Sequence, residues 1–178
     1  MAGAIARCCS SAGPRALRRS ELAALRLDDV RFEPEGVVLT IRRSKTDQDA
    51  AGATVAVPFG EEEATCPVRA LRAWLDVRGT VGAGDVVFGR IDRHGNIGAS
   101  LTPMAIATIV RVRAALADVA GDFAAHSLRA GFATSAARAG RTEAAIMRHG
   151  RWKSVQVARR YIRQGSRWID NPAAAIGL

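Results

Sequence analysis

The sequence predicts an α+β domain that is mainly α-helical and contains a small three-stranded antiparallel sheet. Between Val30 and Val57, β-branched and apolar residues occur in short runs that turn-forming residues separate, as in strands. From Pro67 onward, apolar residues instead recur every three or four positions, as on one face of a helix. At 178 residues the chain is long enough for one domain with a sizeable core.

The predicted elements of the first part are a short helix and the sheet. Apolar residues in 20–27 favour an amphipathic helix. The runs at 30–32 and 37–41 predict two strands joined by the turn Glu-Pro-Glu-Gly, and 54–57 predicts a third strand. The polar segment 42–52 is then the long loop between the second and third strands.

Helix-start signals organise the second part. Pro67 suits the first turn of a helix that Thr65 could cap, and Thr102 with Pro103 predicts the start of another. The apolar positions of the latter helix are Ile106, Ile109, Val110 and Leu116.

The remaining predicted elements follow from length and periodicity. Residues 86–88 are predicted to form a short buried strand or extended segment, and residues 92–100 a loop. The last helices are predicted at 127–139, 142–148 and 154–163.

Domain boundaries and location are predicted from composition. Residues 1–14 indicate an irregular leader, 15–169 the folded domain and 170–178 a tail. No apolar run approaches the roughly 20 residues of a membrane span, and the start lacks the apolar region of a signal peptide. The three cysteines fit neither a disulfide framework nor a zinc site, so a cytoplasmic protein without a membrane partner is expected.

The positive charge is concentrated in the second half. The net charge is +9; residues 103–178 contain 12 Lys/Arg against 4 Asp/Glu, whereas residues 1–102 contain 14 against 13. A concentrated basic surface favours a polyanion, most simply nucleic acid. The alternative is a solvated arginine-rich surface with no partner.

Four residues of this basic half could surround one phosphate. His126 and Arg129 are three positions apart and share one face of a helix. Trp152 lies nine residues before Tyr161, about two and a half turns, so a continuous helix would place them on opposite faces. They can meet if Trp152 precedes the helix, which Ser154 as an N-cap allows.

These motifs resemble the C-terminal catalytic domain of tyrosine recombinases, the phage integrase family. The motifs are His126-x-x-Arg129, Gly150-Arg151-Trp152 and Tyr161. The resemblance covers most of the chain, from about residue 16 to 163. It implies the fold of that domain, double-stranded DNA as partner, self-association on DNA as a tetramer, and no metal or other cofactor.

The resemblance extends to Arg18 and Lys45. Arg18 matches the arginine of the family's Gly-Leu-Arg-x-Ser-Glu-Leu segment, although Ala16 replaces the usual glycine. Lys45 lies in the predicted loop between the second and third strands, where the family holds a lysine. The structural alternatives are an arginine at the start of a surface helix and a solvated loop lysine.

The resemblance assigns the central chemistry to three residues. Tyr161, the only tyrosine of the chain, attacks a DNA phosphate, forms a 3′-phosphotyrosine bond and releases a 5′-hydroxyl. Arg18 and Arg129 neutralise charge on the equatorial oxygens. Reversal of the step by a 5′-hydroxyl from another strand rejoins the DNA.

Three further residues assist in the family scheme. Lys45 protonates the leaving oxygen, and His126 aids proton transfer at the tyrosine. Trp152 donates its indole N–H to a phosphate oxygen while its rings pack on the nucleophile's helix. His149 lies twelve residues before Tyr161 and does not fit the family spacing.

Two alternatives remain beside the recombinase. Because the chain begins almost at Arg18, the family's N-terminal helical domain is expected to be absent, and an inactive DNA-binding remnant is the second hypothesis. A topoisomerase with the same chemistry is the third. A Tyr161→Phe change separates the first two, since a remnant would keep its DNA affinity.

Overall fold

The computed structural model describes residues 16–42, 52–79, 82, 84–118, 127–169 and 171–174. The predicted leader and two predicted site residues, Lys45 and His126, lie outside the described residues. Of the predicted tail, residues 171–174 are described and contain a turn. No helix in the described part of the chain combines the length and apolar character that crossing a membrane requires.

A three-stranded antiparallel sheet in the order β1-β2-β3 confirms the predicted sheet. Its strands are β1 (Val30–Glu33), β2 (Gly36–Ile41) and β3 (Ala53–Pro58). The register places Val37 opposite Val57 and Leu39 opposite Val55, and all four side chains are buried. Alternate residues of each strand therefore form one apolar face toward the core.

Six α-helices account for nearly half of the described chain. They are α1 (Arg19–Ala24), α2 (Pro67–Arg78), α3 (Pro103–Leu116), α4 (Ser127–Arg138), α5 (Glu143–Gly150) and α6 (Val155–Ser166). Side chains of Thr102, Thr142 and Ser154 cap α3, α5 and α6, each accepting a hydrogen bond from a backbone N–H three residues on. The predicted cap of α2 by Thr65 is wrong: Thr65 ends a 3₁₀ turn, Glu63–Thr65, and Cys66 takes the N-cap position.

A second small sheet replaces part of a predicted loop. Strands β4 (Gly89–Ile91) and β5 (Ile97–Ser100) pair antiparallel, so the prediction of a loop at 92–100 is wrong for its second half. Residues 86–88 belong to no ladder, and Val86 forms an isolated bridge with Arg26. Strand β5 contains glycine and alanine rather than a β-branched run, so its composition gave little strand signal.

One predicted apolar position of α3 points away from the core. Ile106 and Val110 are buried, whereas Leu116 is 73% exposed. Leu116 is the last residue of α3, and the buried part of this helix ends at Val110.

In the part of the chain that the structure describes, the buried apolar residues form two clusters. The larger one joins the three-stranded sheet to α1, α2 and the start of α3, and surrounds Trp74, whose indole N–H donates to the Val87 carbonyl at 2.9 Å. The smaller cluster holds α4, α5 and α6 together around Ala133, Ala137 and Ile146. These small alanine side chains let the helices approach closely, and they place the N-terminal parts of α4 and α6 side by side.

Candidate active site

Arg18 stands at the start of α1 and is held by a residue of the same helix. It is the N-cap of α1, and its guanidinium Nη1 donates to Oε1 of Glu21 at 2.6 Å. Its backbone N–H donates to the other Glu21 oxygen, Oε2, at 2.8 Å. Ala16 and Leu17 just before it are buried, so the chain enters α1 along a fixed path.

Arg129 is a buried cation on the first turn of α4. Arg129 is only 6% exposed, and its Nη1 donates to the Ala16 carbonyl at 2.8 Å. Burial, followed by repulsion from Arg18 and Arg151, lowers the pKa of Arg129 to about 10, although Glu21 acts in the opposite direction. The group remains protonated at neutral pH, but its surroundings do not fully compensate its charge.

Trp152 lies in the turn between α5 and α6, where it can meet the helix that follows. The Arg129 Cζ atom lies 4.1 Å from the centroid of its ring, a cation–π contact. Gly150 packs against the same ring so closely that a Cβ there would lie 1.7 Å from Cζ3 of Trp152. A glycine at this position is therefore required for the observed orientation of the indole.

Tyr161 lies on α6 and faces the same space. It is half-buried, and it packs with Trp152 against the small apolar cluster of the last three helices. An open cleft of about 310 Å³ is lined by Arg18, Arg129, Ala130, Trp152, Lys153, Ser154, Val157 and Tyr161. Four of the six predicted site residues thus meet in one cleft; Lys45 and His126 lie outside the described residues.

A larger cavity does not contain the predicted residues. It measures about 600 Å³ and lies between β3 and the helices α4 and α5, with mostly apolar walls. His149 lines it and stacks on Phe132 with ring centroids 4.7 Å apart. Burial, and to a lesser extent Arg151, lowers the pKa of His149, which favours the neutral ring. The smaller cleft, which contains two guanidinium groups and a phenol, suits a phosphate better than the larger, mostly apolar cavity does.

Three residues around the cleft were not predicted from the sequence: Glu21, Arg151 and Lys153. Lys153 lines the cleft next to Trp152 and is one of only two lysines in the chain. Glu21 and Arg151 stand inside the motifs that carry the resemblance, but spacing alone gave no reason to pair them. Their connection spans 130 residues and appears only in the folded chain.

Glu21 is a buried carboxylate that joins two segments of the site. Its side chain is 1% exposed, and Oε2 accepts a hydrogen bond from Nη2 of Arg151 at 2.6 Å in addition to the bonds from Arg18. Burial would raise the pKa of Glu21, but the hydrogen bonds from Arg18 and the charge of Arg151 outweigh it and lower the pKa. Glu21 is therefore ionised and links α1 to the α5–α6 turn.

Arg151 occupies an unusual backbone and side-chain environment. It caps the C-terminus of α5 with φ 53° and ψ 45°, the left-handed region, which costs a non-glycine residue about 1 kcal/mol. Its Nε and Nη1 atoms are buried and find no hydrogen-bond partner among the described residues. Within the described part of the chain, the charged partner of this side chain is Glu21.

The described residues offer no cluster of metal ligands. No group of three or more His, Cys, Asp or Glu side chains is placed to hold a metal ion in the ranges that the structure covers. The polar groups of the cleft are mainly cationic, so they suit an anion.

Known proteins of one family match this chain in sequence. Residues 13–166 match the model of the phage integrase family. The integrase/recombinase XerD homolog of Selenomonas ruminantium is 39% identical over 158 residues, which cover 88% of this chain and 46% of that protein. The chain thus spans about half the length of this curated relative.

Two solved structures share the fold. The XerA recombinase matches 83% of this chain and 48% of its own with a TM-score of 0.63 at 24% identity. The Tn1549 transposon integrase, solved in complex with transposon right-end DNA, matches 90% of this chain and 53% of its own with a TM-score of 0.57 at 17% identity. With a family model matching most of its length and this fold, the chain belongs to the phage integrase family of tyrosine recombinases.

Proposed function

We propose that this chain is the catalytic domain of a site-specific DNA recombinase that breaks and rejoins strands through Tyr161. The observation that carries the proposal is the shared cleft, in which the phenol of Tyr161 meets the guanidinium groups of Arg18 and Arg129. A phenol alone is a weak nucleophile at neutral pH, so its attack on phosphorus needs a group that takes up the phenolic proton. The family membership supports the same chemistry.

The charge balance of the cleft suits a phosphodiester. Among the described residues, Arg18, Arg129 and Arg151 surround a single carboxylate, Glu21. The incompletely compensated charge of Arg129 gains an anionic partner when a phosphate enters. Because these donors are already held by Ala16 and Glu21, little reorganisation is needed when charge develops on the equatorial oxygens.

The proposed step conserves the bond energy of the DNA. The Tyr161 oxygen attacks phosphorus, the bond between phosphorus and the 5′ oxygen breaks, and the phenolic proton leaves the tyrosine. The leaving 5′ oxygen takes up a proton and departs as a hydroxyl. The family resemblance supplies the roles of Lys45, which protonates the leaving oxygen, and of His126, which aids transfer of the phenolic proton.

Double-stranded DNA is the proposed partner. The net charge of +8 in residues 103–178 supports it, as does the solved complex of the Tn1549 integrase with DNA. Tetrameric self-association on DNA and a cytoplasmic location are further parts of the proposal that rest on the family.

A trapping assay tests the proposal. The substrate is labelled duplex DNA from around the protein's own gene in which the leaving 5′ oxygen is replaced by sulfur, so that cleavage cannot be reversed. Wild-type protein is expected to give a covalent protein–DNA band on a denaturing gel, and Tyr161→Phe is expected to give none. The single removed hydroxyl makes Tyr161→Phe a matched control for folding and DNA affinity.

The other outcomes point to the alternatives. A protein that melts cooperatively and shifts DNA on a native gel, yet forms no covalent band, would be a DNA-binding remnant. A covalent band that survives in Tyr161→Phe would show that another residue is the nucleophile. Relaxation of supercoiled DNA without a preferred site would favour a topoisomerase.

A further inference from the structure

Arg151 stands at the junction of the three segments that form the cleft. Arg18 comes with α1, Arg129 with α4, and Trp152 and Tyr161 with the α5–α6 region. Two long-range contacts from arginines cross between these segments. Arg129 donates to the Ala16 carbonyl, and Arg151 donates to the carboxylate of Glu21.

The ion pair of Arg151 holds the Trp152 turn against the start of α1. Arg151 directly precedes Trp152, and its Nη2 lies 2.6 Å from the Glu21 oxygen that also accepts the backbone N–H of Arg18. Both partners are largely buried, with side-chain exposures of 15% and 1%. Loss of this pair would therefore shift the Arg18 side chain, which Glu21 holds. It would also shift the Trp152 indole, because Trp152 follows Arg151 directly in the chain.

The local structure of Arg151 is not explained by stability alone. The residue adopts a left-handed backbone that glycine would adopt without strain. Two of its buried guanidinium nitrogens also find no acceptor among the described residues. Local strain and unpaired polar atoms of this kind cluster at functional sites, where the surrounding structure compensates for them.

Arg151 is placed behind the cleft rather than in its wall. The residues lining the cleft include its neighbours Trp152 and Lys153 but not Arg151 itself. A phosphate in the cleft would thus contact Arg18 and Arg129 while Arg151 remains paired with Glu21. Its influence on the reaction would pass through the residues that it holds.

We propose that Arg151 is a positioning residue that, through its buried pair with Glu21, aligns Arg18 and Trp152 around the scissile phosphate. This inference rests on the proposed DNA cleavage at Tyr161. It assigns Arg151 an effect on the cleavage rate and little effect on DNA binding.

Three variants separate positioning from a general loss of charge. Arg151→Gln removes the ion pair, Arg151→Lys keeps a cation that can reach Glu21, and Arg31→Gln is the matched control. Arg31 forms a pair with Glu33 at the same 2.6 Å distance, but at exposures of 75% and 38% on the sheet surface. The control thus removes one charge and one ion pair away from the cleft.

The kinetic test uses the sulfur-containing duplex at several salt concentrations. Arg151→Gln is expected to cleave at least about tenfold more slowly, since small misplacements of catalytic groups cost that much or more. Its Kd for DNA and the salt dependence of that Kd should match those of wild type. Arg151→Lys should recover most of the rate, and Arg31→Gln should cleave like wild type. Cleavage by Arg151→Gln at the wild-type rate would overturn the proposal.

A loss of affinity with a weaker salt dependence would also overturn it, because Arg151 would then contact a phosphate. Should Arg151→Gln not melt cooperatively, Glu21→Gln breaks the same pair from the other side, and the same separation of rate from affinity is expected.

A second measurement distinguishes failure of this inference from failure of the proposed function. The ¹H–¹⁵N spectrum of the protein without DNA contains one indole signal for each of the three tryptophans. Arg151→Gln is expected to shift the Trp152 signal, assigned with Trp152→Phe, and to leave that of buried Trp74 in place. An unmoved Trp152 signal would refute the positioning role even if the wild-type protein does not cleave DNA, whereas a shift without cleavage in wild type would count against the proposed function alone.

Discussion

Arg129 shows how a single buried cation prepares the cleft for an anion. Its pKa of about 10, lowered from 12.5, corresponds to about 3 kcal/mol by which the folded surroundings disfavour the charged form. A lowered pKa means that the folded protein binds this proton more weakly than the unfolded chain. The cost is therefore fully present below pH 10 and disappears only as the pH rises toward 12.5.

Bound phosphate should offset this cost and stabilise the fold. Inorganic phosphate at about ten times its Kd is expected to raise the Tm of the wild-type protein by about 3 to 5 °C at pH 7. Arg129→Met, which fills similar volume without charge, should lose this gain, whereas the exposed control Arg31→Met should keep it. Calorimetry with and without phosphate measures the change in Tm of each variant. An equal gain in Arg129→Met would mean that the anion binds elsewhere.

Some residues of the site could be predicted from the sequence and others could not. Arg129, Trp152 and Tyr161 could be grouped from motif spacing, since spacing along a helix determines which side chains share a face. Arg18 was named only through the resemblance to the family's segment around its first arginine. The pair of Glu21 and Arg151 could not be predicted, since residues that are 130 positions apart meet only after the chain has folded. The catalytic roles of all these residues remain proposals.

At the scale of elements, two glycines on neighbouring helices have opposite surroundings. Gly165 on α6 packs against α4, and a Cβ there would lie 2.2 Å from the Thr134 carbonyl oxygen. For Gly131 on α4, no atom of a neighbouring described residue lies within 4 Å of the position that a Cβ would take. The close approach of α4 and α6, which carries Arg129 and Tyr161 into one cleft, thus depends on Gly165.

Alanine substitutions at these two glycines should change stability in opposite directions. Gly165→Ala is expected to lower the free energy of unfolding by about 1 to 3 kcal/mol, because backbone must shift to admit the methyl group. Gly131→Ala should raise it by about 0.5 to 1 kcal/mol through higher helix propensity. Urea unfolding followed by circular dichroism gives both values. Stability unchanged in Gly165→Ala would show that α4 and α6 tolerate a wider separation.

Elements with strong patterns were the ones that the sequence predicted well. The strands of the first sheet carry β-branched residues at alternate positions, and the capped helices begin at Thr102, Thr142 and Ser154 as their capping chemistry indicates. The β4–β5 hairpin was missed because Gly98 and Ala99 have little strand propensity, and its pairing depends on close contact between Gly89 and Ile97.

At the scale of the whole molecule, the second half of the sequence supplies most of the positive charge and most of the residues that line the cleft. Residues 103–178 carry the net charge of +8 and supply α4 and the α5–α6 region, while the first half supplies Arg18 and the sheet. The asymmetry of charge was readable from composition. The position of the cleft between the two halves could not be predicted from composition, because it depends on how α1 packs against the later helices.

This distribution predicts a strong dependence of DNA affinity on salt, with separable contributions. Each phosphate contact contributes about 0.9 to the slope of log affinity against log salt, so about five contacts would weaken binding a few hundredfold between 50 and 200 mM.

Lys153 is exposed and lines the cleft, so Lys153→Gln should reduce the slope by about 0.9. Arg31→Gln removes an equal charge from the sheet surface and should leave the slope unchanged. Fluorescence anisotropy with a labelled duplex over this salt range measures all three proteins. Equal slopes for the two variants would mean that DNA approaches by another face, since total charge would then matter and the position of the charge beside Tyr161 would not.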